Sequence, residues 1–353
     1  MSKRIAYCAD GTWETAAQHT NVYKLFKSLK VSADQMPFYD DGVGADGNPI
    51  TRLLGGAFGT GLWKKIRDGY TKISQVYEAG DELFIFGFSR GAYTARSLAG
   101  MIAVCGLPTS NFNDALVDTA FRAYRDKDDR QALLAQLKDC KMAEAKIKMV
   151  GVWDTVGSLG IPSVFGAIDP ILYGFLDTGL HPNVQNAYHA MAIDEKRVEF
   201  PATLWTSQPA AGQTLEQVWF CGVHGDVGGG EPDDIGNVTA LSDITLSWMM
   251  NKASGLGLVV DPAMLTQYAS PADPKYSLDA LHESWNILCG FPKRRAIVRG
   301  SVLANSVVIR CQHDNTYRPQ NLEFDGGVLS SSYGTSVVVS APPTDQSAKA
   351  AGH

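Results

Sequence analysis

The sequence predicts an α/β fold with a mainly parallel central sheet and helices on both faces. Short apolar runs, each ending in a small or polar cluster, alternate with helical patterns along most of the 353 residues. Such runs indicate strands buried on both sides, and their alternation with helices is typical of parallel sheets. We therefore expect one domain over residues 1–340. The Pro- and Ala-rich stretch 341–353 has nothing to bury, so we expect a disordered tail.

Each predicted strand is a short apolar run that stops at a turn or a polar cluster. The strands are Ile5–Cys8, Leu83–Phe86, Ile147–Trp153 and Val218–Cys221, with a shorter one at Pro37–Tyr39. Two later segments, Ala296–Arg310 and Gly334–Ser340, also have β character, but the sequence does not place them in the sheet.

Helical patterns fill most of the remaining chain. They are Asn21–Lys30, Lys64–Tyr77, the stretch after Ser89, Asp114–Leu137 as one or two helices, and Leu241–Ala253. The segments 158–209 and 255–293 have weaker periodicity and many Pro and Gly residues, and we expect them to be insertions that cap a site. The Gly-rich stretch Gly55–Gly61 lacks the Lys-Ser/Thr pair of a phosphate-binding loop, so we expect a closely packed loop.

Composition argues against several classes of protein. The formal net charge is −6 and no basic run is present, so we expect no nucleic-acid partner. No apolar run reaches the length of a signal peptide core or a membrane span, so we expect a cytoplasmic protein, with signal-independent secretion left open. The six cysteines form no C-x-x-C pair, and several lie in apolar runs, which favours buried free thiols and a reducing compartment.

The strongest chemical motif is Gly87-Phe88-Ser89-Arg90-Gly91, which follows an apolar strand and precedes a helical pattern. A nucleophilic serine is presented on a sharp strand-to-helix turn, and the flanking glycines make room for it. We therefore predict an α/β-hydrolase-like fold with Ser89 as nucleophile. The alternative is an ordinary Gly-rich turn.

A nucleophilic serine needs a histidine base and an acid that orients it. Asp154 and His224 each follow an apolar strand, and the carboxyl ends of parallel strands share one edge of the sheet. Their chain order, Ser-Asp-His, is that of α/β-hydrolases. Asp226 is a second candidate for the acid. His189 and His313 are alternatives for the base, although neither follows so clear a strand.

The oxyanion of an acyl-transfer intermediate is stabilised by backbone N–H groups. One donor would be Arg90, the residue after the nucleophile. The other would come from Gly11 or Thr12 in the turn after the first strand, where Asp10 is a further candidate site residue. An Asx-type turn that starts the next helix is the structural alternative for this segment.

Longer stretches resemble a bacterial and fungal family once labelled domain of unknown function 2235, which is the catalytic domain of type VI secretion phospholipase effectors. The matching stretches are Asp10–Trp13, Asn21-Val22, Tyr39–Gly44, Gly55–Gly61, Gly87–Met101, Gly151–Pro162, His189-Ala190, Asp194–Arg197, Val218–Gly230 and Tyr317–Leu322. The resemblance implies a Ser-Asp-His hydrolase with lipase, phospholipase or carboxylesterase activity.

The chain also departs from the family pattern. Gly225 stands where the family often has Ser, Glu231 where it often has Tyr, and Ala304-Asn305 where a His is often found. The secreted effectors carry large membrane-binding regions, for which 353 residues leave little room, so a standalone esterase is an alternative. We expect the protein to contact a membrane only where the membrane is the surface that carries its substrate.

We therefore predict a serine esterase that needs no cofactor and no metal and acts on a small-molecule or lipid ester through an acyl-enzyme. A first alternative is a metal-dependent phosphoesterase, because Asp10, Asp154, His224 and Asp226 are suitable ligands for a divalent ion. A second is a non-catalytic binding module that keeps the fold. The oligomeric state, the acyl chain and the headgroup are left open.

Overall fold

A computed structural model of the chain describes residues 2–11, 19–42, 56–156, 178–198, 200–231, 241–269, 274–286 and 291–339. The tail 341–353, Thr12, Cys289 and the whole segment 158–177 lie outside the described residues. The five described cysteines are free and buried, as expected. Within the described part of the chain, no helix is both long and apolar enough to cross a membrane.

Eight strands form the central sheet, and every neighbouring pair is parallel. The strands are β1 (Arg4–Ala9), β2 (Gln35–Asp40), β3 (Glu82–Phe88), β4 (Ile147–Trp153), β5 (Asn186–Ala192), β6 (Thr214–Phe220), β7 (Val302–Ala304) and β8 (Gly334–Ser336). Their order across the sheet is 8-7-6-5-4-3-1-2. This mostly parallel α/β sheet confirms the predicted fold class.

Helices cover both faces of this sheet. They are α1 (Asn21–Ser28), α2 (Gly56–Val76), α3 (Arg90–Cys105), α4 (Asp114–Arg125), α5 (Arg130–Gln136), α6 (His224–Gly228), α7 (Leu241–Gly255), α8 (Pro262–Ala269) and α9 (Asn305–His313). Short 3-10 turns lie at Lys138–Cys140 and Pro274–Leu278, and short antiparallel pairs join Leu107-Pro108 to Met142-Ala143 and Phe324-Asp325 to Val328-Leu329.

Two buried apolar clusters lie on opposite sides of the sheet. Alternate residues of β1 show the division: Ala6 and Cys8 join the cluster that includes α1, α7 and α9. Ile5 and Tyr7 join the cluster that includes α2, α3 and α4. Because successive strand residues point to opposite faces, a sheet covered on both sides needs apolar side chains at nearly every position.

The structure differs from the sequence prediction at three places. β5 lies within the segment 158–209, which we expected to be an insertion; its polar Asn186 and His189 hide the strand pattern. Gly56–Gly61 forms the first turns of α2 instead of a loop. Only Val302–Ala304 of the segment Ala296–Arg310 is a strand, because α9 begins at Asn305.

The strand order places a topological switch point between β1 and β3. From β1 the chain moves outward to β2, and then returns to β3 on the other side of β1. Ligands of open α/β sheets bind beyond the carboxyl ends of the strands at such a point. Asp10 follows β1 and Ser89 follows β3, so the candidate residues lie at this crevice.

Candidate active site

Ser89 lies on a strained turn between β3 and α3. Its backbone has φ 58° and ψ −120°, a conformation that residues with a side chain rarely adopt. The Ser89 N–H donates to the Trp153 carbonyl oxygen (3.0 Å), and the Ser89 carbonyl oxygen accepts from Tyr93 N–H (3.3 Å). These bonds fix the turn against the end of β4. The nucleophile-like conformation is thus held by backbone contacts on both sides.

The two glycines of the motif make this turn sterically feasible. A Cβ on Gly87 would lie 2.3 Å from the Gly91 carbonyl oxygen, and one on Gly91 would lie 2.1 Å from the Ala9 carbonyl oxygen. Both distances are far inside van der Waals contact. Only glycine therefore allows β3, α3 and the end of β1 to approach this closely.

Asp154 and His224 form a buried pair beside this turn. Asp154 follows β4, and His224 begins the short helix α6 after β6. The His224 Nδ1 atom lies 2.5 Å from Asp154 Oδ2. Both side chains are buried, and they sit at the same edge of the sheet as Ser89. This edge is where the sequence analysis predicted that the three residues meet.

Two aromatic rings enclose the His224 imidazole. The Phe88 ring centroid is 4.5 Å from that of His224, and the Phe200 ring packs edge-on at 5.0 Å. Phe88 directly precedes Ser89, so this contact brings the imidazole next to the Ser89 turn. Burial lowers the pKa of His224, although the Asp154 carboxylate opposes this change. The imidazole is therefore held neutral, the form in which it can accept a proton.

The Asp154 carboxylate is held by four donors. Oδ1 accepts from Ala192 N–H (2.9 Å) and Arg295 Nη1 (2.5 Å). Oδ2 accepts from Arg295 Nη2 (2.8 Å) and faces His224 Nδ1. Burial alone would raise the pKa of Asp154, but the Arg295 charge and the His224 bond outweigh it and hold the pKa well below its usual range. Asp154 is therefore ionised, as an acceptor for an imidazole N–H must be.

A second carboxylate, Glu195, supports the helix that carries His224. Glu195 Oε2 accepts from the His224 backbone N–H (3.3 Å), and the carboxylate forms a bidentate ion pair with Arg197. Burial would raise the pKa of Glu195, but Arg197 lowers it to about 2. Phe200, Glu195 and Arg295 were not among our predicted site residues, although Glu195 lies in the family-matching stretch Asp194–Arg197.

Asp226, the second candidate for the triad acid, points elsewhere. Its Oδ1 lies 2.5 Å from His282 Nδ1, and its Oδ2 accepts from the backbone N–H groups of Val223 (2.9 Å) and His282 (3.2 Å). Asp226 therefore joins α6 to the segment 274–286. The structure pairs Asp154, and not Asp226, with His224.

Asp10 lies at the switch point but is occupied by structural bonds. Its carboxylate accepts from the hydroxyl groups of Thr20 and Tyr39, both at 2.6 Å, and from Gly11 N–H at 2.8 Å. The Gly11 N–H is thus used by Asp10, which contradicts its predicted role in an oxyanion hole. The Asp10 oxygen bonds the N–H of the next residue, whereas an Asx-type turn, the alternative that we weighed, uses the N–H two residues on. Thr12 lies outside the described residues.

The two other candidate histidines are not at the site. His189 is buried in β5, where its Nε2 accepts from Thr155 N–H (3.0 Å), and burial lowers its pKa to about 3. His313 ends α9. Within the described residues, no three His, Cys, Asp or Glu side chains are grouped to hold a metal ion. Asp10 and Asp226 are each hydrogen-bonded to partners outside the His224–Asp154 pair.

A family model for the catalytic domain of Tle1-like phospholipase effectors of the type VI secretion system matches residues 3–252. The chain belongs to this family. The match confirms the resemblance inferred from the motifs. Ser89, Asp154 and His224 lie within the matched span of this Tle1-like chain, whereas His282 and Arg295 lie beyond it.

Two further similarities extend the comparison. The uncharacterized protein YEL023C of Saccharomyces cerevisiae is 29% identical over 235 residues, which cover 59% of this chain and 33% of the yeast protein. The Tle1-like chain therefore spans about a third of that relative. The crystal structure of an uncharacterized protein from Pseudomonas aeruginosa aligns with a TM-score of 0.46 and 16% identity, over 76% of this chain and 48% of that one.

Proposed function

We propose that this Tle1-like protein is a serine hydrolase that cleaves carboxylic esters of phospholipids through an acyl-enzyme. The observation that carries the proposal is the buried His224–Asp154 pair beside a serine on a strained strand-to-helix turn. Membership of the phospholipase effector family supports a lipid as substrate. In other hydrolases, an imidazole bonded to a carboxylate activates a serine hydroxyl, and the His224–Asp154 pair supplies these two groups here.

In the proposed reaction the Ser89 hydroxyl attacks the ester carbonyl carbon while His224 Nε2 accepts the hydroxyl proton. Asp154 accepts the hydrogen bond from Nδ1–H, which fixes the tautomer and stabilises the imidazolium. The proton then passes to the leaving alcohol as its bond to the acyl carbon breaks. Water, deprotonated by His224, releases the fatty acid and restores Ser89.

Backbone N–H groups would stabilise the oxyanion. Arg90 is the first residue of α3, and the first N–H groups of a helix have no acceptor within the helix. The helix dipole adds a partial positive charge at this end. The Gly11 N–H is bonded to Asp10, and Thr12, the other predicted donor, lies outside the described residues.

The test is fluorophosphonate labelling together with hydrolysis of p-nitrophenyl esters and phospholipid vesicles. We expect Ser89→Ala to abolish labelling and to lower kcat by roughly 10⁴-fold or more, because the nucleophile is lost. Ser97→Ala is the matched control, since Ser97 is buried two turns further along α3. Absence of labelling at Ser89 in folded wild-type protein would refute the proposal. If only soluble esters were hydrolysed, the serine mechanism would stand and the phospholipid substrate would be rejected.

A further inference from the structure

Arg295 forms two hydrogen bonds to Asp154, the proposed triad acid. Its guanidinium binds both Asp154 oxygens, with Nη1–Oδ1 at 2.5 Å and Nη2–Oδ2 at 2.8 Å. The same group donates to the carbonyl oxygens of Ala192 (2.9 Å) and Phe200 (2.8 Å). Both charged side chains are buried. Arg295 is therefore a fixed charge in contact with the acid.

We propose that Arg295 is a positioning residue of the hydrolase, which holds Asp154 ionised and aimed at His224. This inference rests on the proposed function. It adds a fourth side chain to the machinery, one that lies beyond the residues matched by the family model.

The geometry explains why an arginine suits this position. A carboxylate in contact with His224 alone could rotate about its Cβ–Cγ bond, and the imidazole would lose its alignment. The planar fork of Arg295 binds both oxygens and prevents that rotation, whereas a lysine ammonium would bind as a point charge. The carbonyl oxygens of Ala192 and Phe200 hold the fork itself in place.

The Arg295 charge also affects the proton affinity of His224. A positive charge beside the pair disfavours a second one on the imidazole, and it lowers the pKa of Asp154 as described above. The other carboxylates on the neighbouring elements have partners of their own: Glu195 is paired with Arg197, and on α6 itself Asp226 is hydrogen-bonded to His282. The nearby His189 is buried, and burial lowers its pKa. Removal of the Arg295 charge should therefore raise the pKa of His224.

The experiment compares Arg295→Met with Arg295→Lys on a soluble ester, and measures kcat/KM from pH 4 to pH 9. For Arg295→Met we expect a fall of roughly 100-fold, as for loss of a group that orients a catalytic ligand. We also expect its acid limb to move about one pH unit upward, because the base is now protonated at higher pH. Arg295→Lys keeps the charge, so its acid limb should match the wild type while kcat falls roughly 10-fold.

A double-mutant cycle with Asp154→Asn separates positioning from general support of the fold. If Arg295 acts through Asp154, Asp154→Asn/Arg295→Met should be little worse than Asp154→Asn, and guanidinium ion should restore part of the activity of Arg295→Ala. Near-UV circular dichroism checks that each variant is folded. A kcat of Arg295→Lys equal to that of the wild type would overturn the inference. So would an acid limb of Arg295→Met that does not move, together with a double variant whose loss of activity is the product of the two single losses.

The control for the underlying function is independent of these variants. Fluorophosphonate labelling of Ser89 in the wild type tests the serine mechanism by itself. If the wild type is not labelled at Ser89, the proposed function is rejected. If the wild type is labelled and Arg295→Lys is fully active, only the role of Arg295 is rejected.

Discussion

Ser89 and Asp154 share an uncommon backbone conformation at the ends of neighbouring strands. Their φ angles are 58° and 39°, and neither is glycine. Each such residue costs about 1–3 kcal/mol of conformational free energy, and it persists only where surrounding contacts hold it. Here the Ser89 N–H binds the Trp153 carbonyl oxygen and the Asp154 N–H binds the Ala190 carbonyl oxygen. Two strained residues on adjacent strands support a functional role for this edge of the sheet.

At the same scale, Asp10 is a buried acid whose role is structural. Burial raises its pKa from 3.8 to about 6, although its bonds to Thr20, Tyr39 and Gly11 lower it in part. Between pH 4 and pH 6 the unfolded chain releases this proton while the folded protein retains it. Asp10 therefore contributes stability that is present at low pH and is lost as the pH rises through this window.

We expect Asp10→Asn to flatten this dependence. The contribution across the window is on the order of 3 kcal/mol, because the pKa of Asp10 is raised from 3.8 to about 6 in the folded protein. Urea unfolding at pH 4, 5, 6 and 7 would give the free energy of unfolding for the variant and the wild type. The exposed Asp34→Asn corrects for the change in net charge. Parallel curves for Asp10→Asn and wild type would contradict a buried acid with a raised pKa.

At the scale of elements, the site depends on how closely three segments approach one another. β3 passes into α3 through Ser89, and the end of β1 packs against the first turn of α3 at Gly91. The end of β1 and the Ser89 turn can approach this closely because Gly91 has no side chain. Any Cβ at Gly91 must push the end of β1 away from the Ser89 turn.

We expect Gly91→Ala to lower both stability and activity. The added methyl group meets backbone carbonyl oxygens of Ala9 and Asp10 at 2.1 and 2.4 Å, and backbone cannot yield as a side chain could. A loss of roughly 3 kcal/mol or more is expected, as for severe overpacking. The matched control is Gly255→Ala at the end of α7, where a Cβ meets nothing within 4 Å. Thermal unfolding of both variants measures the difference, and equal stability would contradict the packing argument.

At the scale of the whole molecule, the chain beyond the family match completes the core and the site. β7 pairs with β6, and β8 pairs with β7, so the sheet continues without interruption past residue 252. Leu303 and Val307 belong to the same apolar cluster as α1 and α7. Arg295 links this part of the chain to Asp154, at the centre of the sheet.

We therefore expect the C-terminal third to unfold together with the rest. Leu303→Ala, at a fully buried position on β7, should cost about 2–5 kcal/mol and lower a single cooperative transition. Val328→Ala, at an exposed position, is the control and should change stability little. Two transitions in calorimetry, of which Leu303→Ala lowers only the one at lower temperature, would contradict the prediction that the chain unfolds as one cooperative unit.

Several features could be predicted from the sequence because their causes are local. Apolar runs revealed β1, β3, β4 and β6, and the Gly-x-Ser-x-Gly motif in its strand and helix context located the turn at Ser89. The carboxyl ends of parallel strands lie together in any such sheet, so Asp154 and His224 could be expected at one edge, although Asp226 stayed open as the partner of His224. β5 was missed because a histidine and an asparagine in a buried strand break the apolar pattern.

By itself, the sequence determined the α/β class and the residues that stand at the active edge, since strand patterns and turn chemistry act over about ten residues of chain. Only the tertiary structure decided which acid meets His224, why Gly11 N–H is not free, and that Arg295 joins the pair. Arg295 and Asp154 are 141 residues apart, and His282 is 56 residues from Asp226. Contacts of that kind depend on how elements pack in three dimensions, and no local pattern of residues records them.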